Sequence, residues 1–196
     1  MSHPIVLEGE FVNLRPLAAE DAALTFAWRQ SALARLLNLG ATSVEQQAKW
    51  IASRPPSEYN YIIELKNGRP VGTLSLVAVS EANRHAESGR FLIGDEEAVK
   101  GVPAAVDAMR LLYQFAFDHL QLTRIYGTVA RENRLMIKWQ KYLGMKEEGC
   151  LRQHYLIDGR FQDAICLGLL VSEYRRISLP KMNALIAAAR VPTAKA

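Results

Sequence analysis

The chain has 196 residues, of which 49% are hydrophobic and 22% charged, with a formal net charge of +4. That length suits one domain with a substantial core, and the balance is globular rather than disordered. No block of Lys or Arg separates from the acids, so nucleic acid is not indicated as a partner, although a polyanionic small molecule would be welcome. Cys150 and Cys166 are the only cysteines, and no Cys-x-x-Cys or His cluster occurs, so neither a disulfide framework nor a metal site is suggested. No apolar run reaches the length of a membrane span, and a cytoplasmic protein is expected.

Phe11 to Arg15 alternates and stops at Pro16, which predicts a first strand. Ala18 to Leu39 is helical in composition. Ser43 with Gln46 forms a capping box for a helix that ends near Arg54, before Pro55 and Pro56. Tyr61–Leu65 and Val71–Leu76 flank Asn67-Gly68, a hairpin signal. Glu87–Ile93 is the next strand. After Pro103, apolar or small residues at 105, 106, 109, 112, 113, 116 and 120 give the stripe of a helix lying on a sheet. Arg124–Val129 is a strand, and Asn133 is an N-cap for a helix ending before Gly144. Cys150–Ile157 and Arg160–Leu170 flank Asp158-Gly159, a second hairpin. In an unbulged hairpin Cys150 opposes Leu167, so the two thiols face away from each other. Residues 1–171 form a single domain, and 172–196 a basic tail with a short helix from Lys181 to Arg190.

The stretch from Phe91 to Ala105 organises the rest. A strand, a glycine loop with Lys100-Gly101 and a long helix follow one another, which aims free N–H groups and a helix dipole at one spot. Such a spot suits a phosphate or pyrophosphate, although these fifteen residues alone read equally as a plain strand-to-helix connection. The element order gives an α/β (α+β) fold with a mixed, mostly antiparallel sheet of six to seven strands covered by helices.

This order resembles the GNAT superfamily of acetyl-CoA-dependent N-acetyltransferases, most closely the branch that acetylates protein N-termini, ribosomal proteins included. The likeness runs from Leu7 to about Leu170. It rests on Ala86-Glu87 through Ile93-Gly94, the Lys100-Gly101 loop, Glu132-Asn133, Leu143 to Gly149, and the hairpin from Leu151-Arg152 through Asp163 to Leu170. The resemblance implies a sheet that splays beside the Glu87–Ile93 strand, with pantetheine of acetyl-CoA lying in the gap. Backbone groups of Phe91, Leu92 and Ile93 would bond its amides, and the loop Val99, Lys100, Gly101, Val102, Ala104 and Ala105 would take the pyrophosphate. Asn133 would reach the pantetheine arm, and Trp139 would flank the outer cofactor. A neutral amine then attacks the thioester directly, in a ternary complex, beside a donor placed for the oxyanion.

The sequence departs from the family pattern at Ala98, at Pro103, which removes one N–H from the loop, and at Gln140, where a tyrosine often serves as acid. Tyr142 lies about 200° further round the helix and is expected to face the sheet. Coenzyme A thiolate can instead take its proton from water. Gly127, inside the crossover strand, marks a close backbone approach. Glu87 is a candidate base, acting through water, and His85 could do the same work. Trp28, His154 and Tyr155 are candidates for the acceptor pocket, with one of the last two expected to be plain sheet surface. The acceptor is a primary amine of a protein or peptide N-terminus, or alternatively an amino sugar or other small amine. A CoA-binding module without turnover is the non-enzymatic alternative, and a homodimer is left open.

Overall fold

The computed structural model describes residues 5–37 and 40–190. One eight-stranded sheet runs in the order β1-β2-β3-β4-β5-β6-β8-β7. Its strands are β1 (Leu7–Glu8), β2 (Val12–Pro16), β3 (Tyr59–Leu65), β4 (Pro70–Ser80), β5 (His85–Ile93), β6 (Arg124–Ala130), β7 (Lys146–Ile157) and β8 (Arg160–Leu170). The count exceeds the expected six to seven because Leu7–Glu8 adds a short edge strand on Asn13–Leu14. Neighbours are antiparallel except β5 and β6, which run parallel. The connection between those two carries a helix over one face, as parallel pairing requires.

Helices α1 (Ala22–Gln30) and α2 (Val44–Ala52) lie between β2 and β3. The helical stretch expected from Ala18 to Leu39 is broken: Ser31 is extended, and both its N–H and its hydroxyl donate to the Trp28 carbonyl. Composition could not show this stop, and its expected end at Leu39 lies outside the described residues. At α2, Ser43 caps the Gln46 N–H as expected, but the Gln46 side chain accepts from Thr42 rather than Ser43.

The crossover helix α3 (Ala104–Gln114) passes into one wide π turn, Phe115–His119, closed by the Leu120 N–H on the Phe115 carbonyl. Its apolar stripe buries Ala108, Met109, Leu112, Tyr113 and Ala116 completely against the sheet. Asp107 is also fully buried. One of its oxygens accepts the N–H groups of Glu10, Phe11 and Val12 at 2.7–3.1 Å, and the other takes Arg110 at 2.7 Å. A carboxylate satisfied this fully locks the helix to the start of β2.

Helix α4 (Arg134–Tyr142) joins β6 to β7, with the Asn133 side chain accepting the Met136 N–H. Beyond β8 the chain is no loose tail. It forms α5 (Val171–Glu173), a π turn and α6 (Leu179–Ala189). Tyr174, Met182 and Ile186 of this run are buried, the first two in the same core as Leu112. The run after residue 171 thus packs on the core of the sheet. On the opposite face Trp28 of α1 and Ala34 of the short turn that follows it pack with Ile62 and Leu92 in a smaller cluster.

The Asp158-Gly159 turn closes the β7–β8 hairpin as expected, but the register does not follow the unbulged count. β7 carries two irregularities, and the one nearer the turn brings Cys150 opposite Ile165 and Gly149 opposite Cys166. The bulge nearer the turn is held by Asp163, whose Oδ1 accepts the Gln153 N–H. The shift at that bulge is even, so the thiols still face apart, and both cysteines are free. No helix among the described residues is long and apolar enough to cross a membrane.

Candidate active site

The parallel pairing of β5 with β6 lasts for three residues, His85–Glu87 on Arg124–Tyr126, and then stops. Gly127 stands where it stops. A Cβ there would come within 2.9 Å of the Ser88 carbonyl oxygen, so only a bare backbone lets the two strands touch before parting. Beyond it, β5 keeps only β4 as a partner and β6 only β8. The facing edges of Ser88–Ile93 and Gly127–Ala130 thus hold backbone groups with no strand between them. A bulge in β5 widens the opening: Arg90 has a φ of +55°, and Thr73 donates its hydroxyl to the Arg90 carbonyl at 2.9 Å.

A cavity of about 720 Å³ fills this gap and continues under α1 and α2. Phe91, Leu92 and Asn133, expected at the cofactor, line it, while Ile93 does not. Trp139 is not on its wall; its ring stacks on Phe91 at 5.1 Å and bridges the two halves of the sheet. The Val99–Ala105 loop lies outside the cavity lining. Its Lys100 is exposed and paired with Glu97 at 2.7 Å, and the Val102 N–H is used by the Val99 carbonyl within the loop. The donors that remain begin α3. Pro103 is the N-cap, its carbonyl accepting the Asp107 N–H, so the N–H groups of Ala104, Ala105 and Val106 have no helical partner. Gly101 has a φ of +72° and open space where a side chain would be.

On the other side of the gap, Glu87 and Tyr155 both line the cavity. Burial pushes the Glu87 carboxyl above its usual range, against a smaller downward pull from Arg90 and His154. Burial likewise raises the Tyr155 phenol, whose oxygen lies 2.6 Å from the Thr128 hydroxyl. His85 is not on the cavity wall. It sits at the closed end of the β5–β6 pair with its ring 5.5 Å from that of Tyr126. His154 is exposed and touches the Tyr155 ring from outside, so it is the sheet-surface member of the pair. Trp28 serves as core and wall together, packed against Gly94.

Residues 12–146 match the family described as Acetyltransferase (GNAT) domain. The chain belongs to this family. It is 30% identical over 118 residues to the spermidine N(1)-acetyltransferase of Escherichia coli (strain K12), covering 60% of this chain and 61% of that protein. It is 31% identical over 110 residues to the putative ribosomal N-acetyltransferase YdaF of Bacillus subtilis (strain 168), covering 56% of this chain and 58% of the relative. The chain thus spans about three fifths of the length of these relatives. A GCN5-related N-acetyltransferase from Brucella melitensis superposes with a TM-score of 0.82 at 24% identity, over 98% of this chain and 90% of that one. Relatives named for spermidine and for ribosomal proteins stand at similar identity. The match therefore reaches the GNAT family and stops short of the ribosomal-protein branch.

Within this GNAT fold, the wall holds further side chains. Gln140 lines the cavity, and its Oε1 accepts the hydroxyl of fully buried Tyr113 at 3.2 Å. Trp50 is on the wall too, as are Arg29, Arg90 and Thr128, which no sequence signal singled out. Arg90 reaches over the Trp50 ring at 4.9 Å only because the bulge turns it toward α2, a geometry that no local pattern announces. Tyr142, expected to face the sheet, is half exposed and lies under the Lys181 ammonium, 4.3 Å from the ring centre.

Proposed function

We propose that this protein is an acetyl-CoA-dependent N-acetyltransferase that acetylates a primary amine, in the first instance a protein or peptide N-terminus. The observation that carries the reading is the gap that opens between β5 and β6 after Glu87, with bare backbone on both edges. Acetyl-CoA supplies an acetyl group activated as a thioester. Its extended arm suits a slot lined by Ser88–Leu92 and Val129–Asn133. Its pyrophosphate suits the free N–H groups at the start of α3, where the helix dipole is positive. Lys100 adds exposed charge at the same end.

The chain's own residues then have separable duties. Asn133 keeps its Nδ2 for the cofactor arm, since its Oδ1 is held as a helix cap. Glu87 takes the proton from the acceptor ammonium; its raised pKa brings a carboxylate closer to the range a base needs. Tyr155 and Trp28 shape the acceptor side. Gln140 is fixed by Tyr113 and cannot give up a proton as an acid, so the departing thiolate collects its proton from water.

Thiol release from acetyl-CoA, measured with a panel of amines, tests turnover. Thermal stabilisation by CoA alone scores binding separately. Gly101→Glu should abolish that stabilisation through like charge beside the pyrophosphate. An undiminished shift in the variant would place the pyrophosphate elsewhere.

A further inference from the structure

The acceptor half of the cavity has an electrostatic character that the names of the relatives do not anticipate. Among the described residues lining it, Glu87 is the one carboxylate, whereas Arg29 and Arg90 bring two guanidiniums. Arg90 makes its hydrogen bonds to Glu58 (2.7 Å) and Asn60 (2.6 Å) through Nη1 alone. Among the described residues its Nε and Nη2 have no protein acceptor, neither atom is fully buried, and the residue lines the cavity. The Trp50 ring supports the guanidinium plane from behind, with Arg54 at 4.7 Å from the same ring. Glu58 is shared, lying 3.7 Å from Arg54 as well. Counting these outer groups, three guanidiniums face two carboxylates. Burial, and then the charge of Arg90, pulls Arg29 below its ordinary value, as expected for two cations held close in a dry wall.

A wall of this kind is a poor host for a polycation. Each further ammonium of a polyamine would approach guanidiniums with no surplus carboxylate to receive it. It is a good host for a planar oxyanion, because a guanidinium edge offers paired donors that match a carboxylate. We propose that the acceptor carries a carboxylate close to its reacting amine, and that Arg90, backed by Arg29, receives it while Glu87 faces the amine. This rests on the acetyl-transfer reading of the same cavity. The carboxylate can belong to an acidic side chain near a peptide N-terminus or to a free amino acid.

The test compares four acceptors on the full chain with acetyl-CoA: an alanyl-glutamyl tripeptide amide, its alanyl-glutaminyl isostere, free glutamate and spermidine. The acidic peptide or free glutamate should exceed the neutral isostere by roughly tenfold or more in kcat/KM, with spermidine below all three. Whichever acid wins identifies the source of the carboxylate. Arg90→Gln should bring the acidic-to-neutral ratio within about twofold, and Arg90→Lys should restore part of it. Equal use of acidic and neutral acceptors, or a preference for spermidine, would overturn the proposal. Calorimetric titration of the same ligands into CoA-saturated protein reads the preference without turnover. If nothing is acetylated but the acidic ligands still bind best, acetyl transfer fails and the carboxylate site stands. If the acids bind no better than the isostere, the site fails regardless of activity.

Discussion

The two ends of the cavity are built by different means. The slot between β5 and β6 is made of backbone: strand edges left unpaired and a glycine at the point of separation. The acceptor wall is made of side chains brought from α1, α2, β3, β5 and β7, among them Trp28, Arg29, Trp50, Arg90 and Tyr155. A backbone site tolerates many sequences as long as the topology holds, so it marks a family. A side-chain site changes with single residues, so it decides which amine is accepted. On the proposed reading, members of one family can keep such a slot and differ in the amine they accept.

The sharpest way to break the slot is to break its frame. Asp107→Ala would strand three N–H groups at Glu10–Val12 and the half-buried Arg110, and should cost about 3–5 kcal/mol of stability by denaturant melts. A loss under about 1 kcal/mol would mean that water replaces the carboxylate easily.

At the junction of the two regions, Glu87→Gln should lower turnover about a hundredfold at neutral pH, or about 2.7 kcal/mol of barrier, with CoA affinity nearly unchanged. Wild-type turnover should rise with pH through a transition above the usual carboxylate range, since the base must be ionised and burial raises it. For stability the sign reverses. A raised carboxyl contributes fully below its ordinary pKa, and that contribution is lost as pH climbs through the raised value. The variant should therefore melt at or above wild type at pH 7, with the gap closing in acid. Activity within twofold of wild type would remove Glu87 from the role.

A smaller effect is expected from Gly127→Ala. Its new Cβ would press on the Ser88 carbonyl and shift the point of separation, lowering CoA affinity about tenfold while the melting temperature moves little. Unchanged affinity would show that the slot is set by β4 and β8 rather than by this contact. Smallest of all is Tyr142→Phe. That ring lies outside the cavity beneath Lys181, so turnover should stay within about twofold. A large loss with an intact fold would bring an acid from α4 back into the chemistry.

The sequence by itself determined most of the slot. Turn chemistry at Asn67-Gly68 and Asp158-Gly159, the apolar stripe after Pro103, the Asn133 cap and the bare Gly127 are local signals, and each corresponds to a local constraint on the backbone. Tertiary structure decided the rest. The bulge that turns Arg90 depends on how β5 pairs with β4, and the two-residue slip in β7 depends on Asp163 across the hairpin. Burial of Tyr174 and Met182 turned an expected basic tail into part of the core, because their apolar partners lie some sixty residues earlier in α3. His85 is near Glu87 in sequence, yet it sits where β5 pairs with β6 and is not on the cavity wall. Period and turn rules act over a few residues, whereas the acceptor wall joins positions 28 to 155, and only the folded chain brings those together.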